Sequence, residues 1–197
     1  MYSSERAKRI VVKDAAYLTA GIHDDVKLIS TRFEKSVQDN YFLEFKFEKD
    51  GKIMSHTEWE PSRGSMDEEA FTKKCDTQFK RMEQILKCFT NEQLTFVGAS
   101  FKELCEWVQS HLNKADLNTL LRVKVVYNTN GYTSLPKYAA FTFIEPMTVV
   151  NEGKSMITKL GIDLFEKPIV ADTEKSNPNP FTVGTTVEPE DPNQLPY

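Results

Sequence analysis

The chain lacks the features that mark several protein classes. Its three cysteines are an odd number and form no CxxC pair, which argues against a disulfide framework or a thiolate metal site. No apolar run approaches the roughly twenty residues needed to cross a bilayer, and residues 1–12 contain charges instead of the apolar segment of a signal peptide. We therefore expect reduced, buried thiols and a soluble cytoplasmic protein that makes no membrane contact.

Common catalytic motifs are missing as well. The sequence contains no phosphate-binding GxxxxGK[ST] or GxGxxG motif, no GxSxG nucleophile motif and no HExxH zinc motif. We therefore expect a protein that is not an enzyme and that binds no cofactor and no metal.

Acidic residues are concentrated at the C-terminal end. Residues 172–197 hold five acids and one base, so their charge of −4 equals the formal charge of the whole chain, and residues 1–171 are neutral. From residue 177 onward, prolines and polar residues run without hydrophobic periodicity, and such a segment cannot bury enough apolar surface to offset its chain entropy. The pattern predicts a domain over residues 1–171 followed by a disordered acidic tail, 172–197. A mobile anionic tail could compete for a cationic groove or present its end to partners.

The first half of the domain is predicted to contain three antiparallel strands. Short runs rich in β-forming residues cover 26–33, 41–47 and 53–59, with turn-like segments between them. In the second run, one face carries Tyr41, Leu43, Phe45 and Phe47, and the other carries Phe42, Glu44 and Lys46. Asp50-Gly51 tolerates positive φ and predicts a hairpin between the second and third strands.

Two amphipathic helices are predicted next, near 65–89 and 100–113. Apolar residues recur at intervals of three or four, and each helix is preceded by a serine with a glutamate three positions later, Ser65 with Glu68 and Ser100 with Glu103. Stripes of this spacing usually pack into the core, although they could also form an interface between copies of the chain.

The remaining segments complete the order of elements. Alternation predicts strands at 121–127 and 138–144, with a turn at Asn130-Gly131, and residues 145–171 are expected to form an irregular or partly helical cover. Three strands, a two-helix insertion and two strands are the order of the OB-fold. We therefore predict a mainly β, α+β protein with a five-stranded OB-like antiparallel barrel. A mixed sheet packed on two helices would give the same linear pattern.

An OB-fold binds oligonucleotides on strands two and three and on the adjoining loops, through aromatic rings that stack on bases and cations that contact phosphates. Phe42 is the sharpest candidate, because an aromatic ring on a face with Glu44 and Lys46 needs a partner or a ligand. A helix over that face would explain Phe42 equally well, and Trp59 could instead belong to the core. The candidate nucleic-acid-binding residues are Phe42, Lys46, His56, Trp59, Arg122, Lys124, Tyr132, Lys137 and Tyr138.

Two polar clusters have alternative interpretations. His56, Glu58 and Glu60 alternate along one predicted strand, a spacing that could hold a metal, but without a second histidine or a thiolate we expect cross-strand hydrogen bonds or ion pairs instead. His23 beside Asp24 and Asp25 indicates turn chemistry in preference to an acid/base pair.

Several segments carry a resemblance to a known group of proteins. They are LTAGIH at 18–23, YFLEFKF at 41–47, HTEWEP at 56–61, VVYN at 125–128 and GYTSLP at 131–136. Over about residues 17–145 the chain resembles small phage single-stranded DNA-binding proteins, including those of crAss-like phages. The resemblance implies an OB-type body that acts in phage DNA replication or recombination in the cytoplasm of a bacterial host.

The C-terminal end is similar to the tip of bacterial and phage single-strand binders, where acids precede an apolar or aromatic terminal residue. This resemblance implies that replication or recombination proteins dock on the tail. The residues that match are Glu190, Asp191, Leu195, Pro196 and Tyr197.

The leading hypothesis is therefore a single-stranded DNA-binding protein in which Lys46, Arg122, Lys124 and Lys137 contact phosphates. The neutral body predicts binding in a local groove with strong salt dependence. The alternative is a phage structural or assembly protein whose β-body is an interaction module. A metal-dependent nuclease built on His56, Glu58 and Glu60 is a third hypothesis.

Overall fold

The structure is a computed structural model, and it describes residues 17–168. The predicted acidic tail, with the partner-binding candidates Glu190, Asp191, Leu195, Pro196 and Tyr197, lies outside the described residues.

The described chain forms a mainly β, OB-like barrel. In chain order, its elements are β1 Gly21–Lys35, β2 Tyr41–Lys49, β3 Lys52–Trp59, α1 Glu68–Lys87, α2 Phe101–Leu112, β4 Leu121–Tyr127, β5 Thr133–Ser134, β6 Ile144–Pro146 and α3 Met147–Asn151. The strand order is β3-β2-β1-β4-β5 with antiparallel pairing, and β6 pairs with β4. Because β5 also lies beside β3, the sheet is nearly closed. The predicted fold class is confirmed.

Strand β1 is long because it serves two neighbours. Its C-terminal part pairs with β2 and its N-terminal part pairs with β4, with register shifts between Leu28 and Ser30 and between His23 and Val26. Such bulges bend a strand and increase its twist, which a closed barrel requires. Asp25, with φ of 57°, lies within the second irregularity.

Both predicted turns are confirmed. Asp50 and Gly51 have φ of 51° and 77° and join β2 to β3, as expected for a tight hairpin. In the β4–β5 connection, the Asn128 side chain accepts hydrogen bonds from the backbone of Asn130 and Tyr132, and Gly131 has φ of 77°.

The predicted strand at 138–144 is wrong. The chain pairs with β4 at Thr133–Ser134, and again at Ile144–Pro146, whereas residues 138–143 form no strand. Pro136 explains the early end of β5, because proline has no backbone N–H to donate to a ladder.

The two predicted helices are confirmed, with one corrected end. Ser100 caps α2 as expected, by accepting from the Glu103 backbone. Helix α1 is capped by Asp67, which accepts from the Ala70 backbone at 2.7 Å, so the cap lies two residues beyond the predicted Ser65. Their buried side chains join the barrel interior in one core that contains Phe45, Phe47, Met82, Ile85, Leu104, Val108, Val123 and Val125.

All three cysteines are unpaired, as expected. Cys88 and Cys105 are buried and Cys75 is half-buried. Burial raises the pKa of Cys105 to about 12, so its thiol stays protonated at neutral pH.

The segment after β6 covers the outside of β4, as predicted for residues 145–171 as far as the described chain extends. It comprises α3 and an irregular stretch in which Leu164 accepts a hydrogen bond from the Tyr127 backbone at 2.8 Å. Within residues 17–168, every helix is too short or too polar to span a bilayer.

Candidate nucleic-acid interface

Three of the predicted site residues lie together on the outer face of β2 and β3. Trp59 is paired directly with Phe42, and Ser55 with Lys46. Paired residues of neighbouring antiparallel strands project from the same side of a sheet. The opposite side of these strands carries Leu43, Phe45 and Phe47, which are fully buried in the barrel. The sequence pattern of β2 therefore predicted its two faces correctly.

Phe42 and Trp59 form an aromatic pair with different roles. Their ring centroids are 5.1 Å apart, and the Arg32 guanidinium lies 5.1 Å from the Phe42 centroid on the same face. Phe42 is only 8% exposed, whereas Trp59 is 50% exposed. The partners of Phe42 are thus Trp59 and Arg32, and Trp59 is the ring that a ligand can reach.

Lys46 is an available cation on this face. Arg32 is within 3.3 Å of Glu44 and 3.4 Å of Glu34, so its charge is locally compensated. Lys46 has no carboxylate within 4.0 Å among residues 17–168, and its cross-strand neighbours are Ser30 and Ser55.

The other end of the face borders an aromatic groove. Tyr132, in the β4–β5 turn, is 72% exposed, and it lines this groove with Tyr17, Ile53 and Ser55. Since Ser55 also lies on the outer face beside Lys46, the surface is continuous from Trp59 to Tyr132. At about 3.3 Å per residue, β3 spans about 20 Å between Ile53 and Trp59.

Lys137 lies at the Trp59 end of this surface. It is exposed, and it lines a groove with Thr57 and Trp59 on one side and helix α1 on the other. Lys73 and Lys74 of α1 line the same groove. The sequence pattern did not single out these two lysines, because a helix face that binds a ligand through lysines has the same pattern as an ordinary solvated face.

The structure corrects the prediction for His56. This side chain points into the barrel and is 2% exposed, because the alternation of β3 places it opposite Phe45. Its Nδ1 lies 2.8 Å from the Ser134 Oγ, and its Nε2 lies 3.0 Å from Glu58 Oε1. His56 is therefore a buried structural residue that a nucleic acid on the outer face does not touch.

Glu58 is the centre of the buried polar network. Arg81 donates from Nε and Nη2 to its two oxygens at 2.7 and 2.6 Å, and Gln78 donates from Nε2 at 3.0 Å. Burial alone would raise the pKa of Glu58, but hydrogen bonds from His56 and Arg81 outweigh it and hold the pKa at about 2. Ser134, His56 and Glu58 are linked in the order of a catalytic serine–histidine–carboxylate triad. In such a triad the carboxylate stabilises the protonated histidine, whereas the charge of Glu58 is already compensated by Arg81.

These contacts correct the metal hypothesis. His56 and Glu58 bind each other within β3, whereas the expected cross-strand hydrogen bonds are those of His56 with Ser134 and of Glu60, which accepts from the Tyr41 backbone at 3.2 Å. Among residues 17–168, there is no group of three His, Cys, Asp or Glu side chains that could hold a metal ion.

The prediction that Lys124 contacts phosphates is also wrong. Lys124 is fully buried, and its Nζ donates to Asp163 Oδ2 and to the Tyr138 hydroxyl, each at 2.9 Å. Tyr138 donates in turn to Asp163 Oδ1 at 2.9 Å. Burial, followed by the contact with Asp163, raises the pKa of Tyr138. Both side chains are engaged within the protein.

Arg122 is compensated in the same way. Its Nε and Nη2 donate to the two oxygens of Asp24 at 2.5 and 2.9 Å, and its Nη1 donates to Ser155 at 3.0 Å. The alternation placed Arg122 and Lys124 correctly on the outside of β4. That side is only partly solvated, however, because the segment containing Ser155 and Asp163 packs over it and leaves Lys124 fully buried and Arg122 partly exposed.

Comparisons with models of protein families, with curated proteins and with solved structures found no match to this chain. A function for it must therefore be proposed from the barrel, its exposed rings and its uncompensated cations.

Proposed function

We propose that this protein binds single-stranded DNA on the outer face of β2 and β3 and acts, without catalysis, in phage DNA replication or recombination. The observation that carries the proposal is the half-exposed Trp59 ring, supported from beneath by Phe42, with Lys46 on the same face. This is the face on which OB-folds bind oligonucleotides.

The proposed contacts divide by chemistry. Trp59 stacks on a base, and Tyr132 provides a second exposed ring at the far end of the face. Lys46 and Lys137 contact phosphates at two positions along the strand. Stacking tolerates every base, so the protein is expected to bind without sequence preference. Because phosphate neutralisation releases counterions, binding weakens steeply as salt rises.

The tail is proposed to regulate this face and to recruit replication or recombination proteins. Lys167 and Pro168, at the end of the described chain, line the same groove as Tyr132. Asp172, the first acid of the tail, follows four residues after Pro168 in the sequence. This short separation along the sequence supports the proposal that the acidic segment competes with DNA for that surface.

Replacement of Trp59 tests the stacking contact. We expect Trp59→Ala to weaken oligo-dT binding by about 1 to 3 kcal/mol, or about 5- to 150-fold, as for other stacked bases. Fluorescence anisotropy of a labelled oligo-dT measures the affinity. Ile22→Ala, an exposed apolar position on β1, is the matched control and should bind as the wild type does. Equal affinities for the wild type and Trp59→Ala would contradict the proposal.

A phage structural or assembly protein is the second candidate. It is favoured by the ion pairs that Arg32 makes with Glu34 and Glu44, which leave much of the outer face neutral. Under that function, the wild type should bind neither single-stranded DNA nor single-stranded RNA at physiological salt.

A further inference from the structure

Helix α1 and strand β3 enclose a groove beside Trp59, which we call the β3–α1 groove. Thr57, Trp59 and Pro61 form one wall, and Ala70, Lys73, Lys74 and Thr77 form the other. Their spacing of three or four residues places these α1 positions on one face of the helix. The groove has a volume of about 540 Å³ and opens next to Lys137.

The charge of the β3–α1 groove is positive and accessible. Lys73, Lys74 and Lys137 are exposed, and none has a carboxylate within 4.0 Å in the part of the chain that the structure describes. Lys74 donates to the Ser62 carbonyl at 3.0 Å, which leaves its charge uncompensated.

Two carboxylates also border the β3–α1 groove, and only one of them is exposed. Glu58 is buried and both of its oxygens are held by Arg81, so its charge is compensated within the protein. Glu60 is exposed, and one of its oxygens accepts from the Tyr41 backbone. Three uncompensated lysines therefore oppose a single exposed acid, in a protein whose body is neutral overall.

The buried network fixes both walls of the groove. Gln78 donates to the Trp59 carbonyl at 2.9 Å, and Arg81 Nη1 donates to the Lys137 carbonyl at 2.9 Å, while both side chains bind Glu58. The backbone of the stacking residue and that of the nearby cation are thus tied to the same helix. A groove built in this way needs little reorganisation when a ligand enters, which lowers the free energy lost on binding.

We propose that the DNA strand continues beyond Trp59 into the β3–α1 groove, where Lys73 and Lys74 bind its phosphates. This inference rests on the proposed function and extends its binding site from the barrel to the helical insertion. Between Ala70 and Arg81, α1 adds about 16 Å to the path at 1.5 Å per residue. The ligand class is a flexible polyanionic single strand that runs past the exposed Trp59 ring and then past Lys73 and Lys74.

The test is the salt dependence of the double variant Lys73→Ala/Lys74→Ala. For single strands, the slope of log affinity against log salt changes by about 0.7 for each phosphate neutralised. We therefore expect the slope for an oligo-dT of about 16 nucleotides, the upper end of OB-fold site sizes, to become shallower by about 1.4. With an oligomer of about 4 nucleotides, the lower end of that range, the slope should not change, because the barrel face alone accommodates it.

Lys114→Ala/Lys159→Ala is the matched control, because it removes the same charge at exposed positions that do not line the groove and that, like Lys73 and Lys74, make no ion pair among residues 17–168. Its slope should equal that of the wild type. If the wild type binds and Trp59 responds, but the Lys73/Lys74 variant keeps the wild-type slope or changes only as the control does, the inference is overturned and the proposed function stands. If the wild type binds no oligomer, the proposed function itself fails.

Discussion

At the residue scale, Glu58 determines how the barrel and helix α1 are joined. Its carboxylate receives hydrogen bonds from His56 on its own strand and from Gln78 and Arg81 on the helix. Every buried side-chain polar atom among the described residues has a hydrogen-bond partner. Removing one partner of a buried ion pair leaves the other charge uncompensated and typically costs about 3 to 5 kcal/mol.

Glu58 makes the stability of the folded protein depend on pH. Its pKa of about 2 in the folded protein lies below the ordinary value of 4.5. Because the folded-state pKa is the lower one, the stabilisation is fully present above about pH 4.5 and is lost as the pH falls towards 2. We expect Glu58→Gln to be less stable than the wild type at pH 7, with a difference that shrinks across this window.

Urea denaturation at a series of pH values measures this difference. Glu60→Gln, two residues further along the chain, is the control, because Glu60 is exposed and makes no ion pair among residues 17–168. A constant difference in unfolding free energy between Glu58→Gln and the wild type from pH 7 to pH 2 would argue against the Glu58 network.

The different surroundings of Lys46 and Lys124 show what the alternation of polar and apolar residues along a strand can predict about a single side chain. Both lie on the outer side of a strand, as the sequence pattern indicates. Lys46 remains without an ion-pair partner in the described part of the chain, whereas Lys124 binds Asp163, which lies 39 residues later. Period-two alternation gives the direction of a side chain, but it contains no information about a distant segment that packs over it.

At the element scale, α1 links the buried network to the proposed DNA path. One face of the helix contributes Met82, Ile85 and Leu86 to the core, and another presents Lys73 and Lys74 to the β3–α1 groove. Asp67 caps the start of this helix.

The capping contact gives a prediction with a close control. Asp67→Ala should destabilise the protein by about 1 kcal/mol, because the Ala70 backbone N–H loses its acceptor. Ser65→Ala should have little effect, although the sequence pattern favoured Ser65 as the cap. Thermal or urea denaturation distinguishes the two variants, and a larger loss for Ser65→Ala would mean that the helix begins earlier.

Elements with a strong local pattern could be predicted from the sequence, and those defined by long-range pairing could not. The Asp50-Gly51 hairpin and both helices follow from turn chemistry and periodicity. The fifth strand does not, because the β-rich residues after Pro136 leave the sheet, and pairing with β4 is confined to two residues before it and three at Ile144–Pro146. Lys73 and Lys74 were missed for a similar reason, since only the tertiary fold places them beside Trp59.

At the scale of the whole molecule, the proposed division is between a neutral binding body and an acidic tail. The tail prediction is that removal of residues 188–197, which contain three acids, tightens oligo-dT binding at low salt. The expected cause is the loss of an anionic competitor, so the gain should disappear at high salt, where electrostatic interactions are screened.

A neutralised tail separates charge from length. The variant Glu188→Gln/Glu190→Gln/Asp191→Asn keeps the same number of residues and should bind as tightly as the truncated chain. If both variants bind oligo-dT with wild-type affinity at low salt, the tail does not compete with DNA for the outer face of β2 and β3.

The most direct test of the central claim is the fluorescence of Trp59 during titration with nucleic acid. Trp59 and Trp107 are the two tryptophans of the chain, so Trp107→Phe leaves Trp59 as the single reporter. We predict that oligo-dT quenches this fluorescence saturably, that the affinity falls as salt increases, and that duplex DNA of equal length binds more weakly. If Trp59 fluorescence stays unchanged at oligo-dT concentrations where anisotropy reports full binding, the proposal that this face stacks on single-stranded DNA is contradicted. It is contradicted equally if the fluorescence is unchanged at every concentration tried.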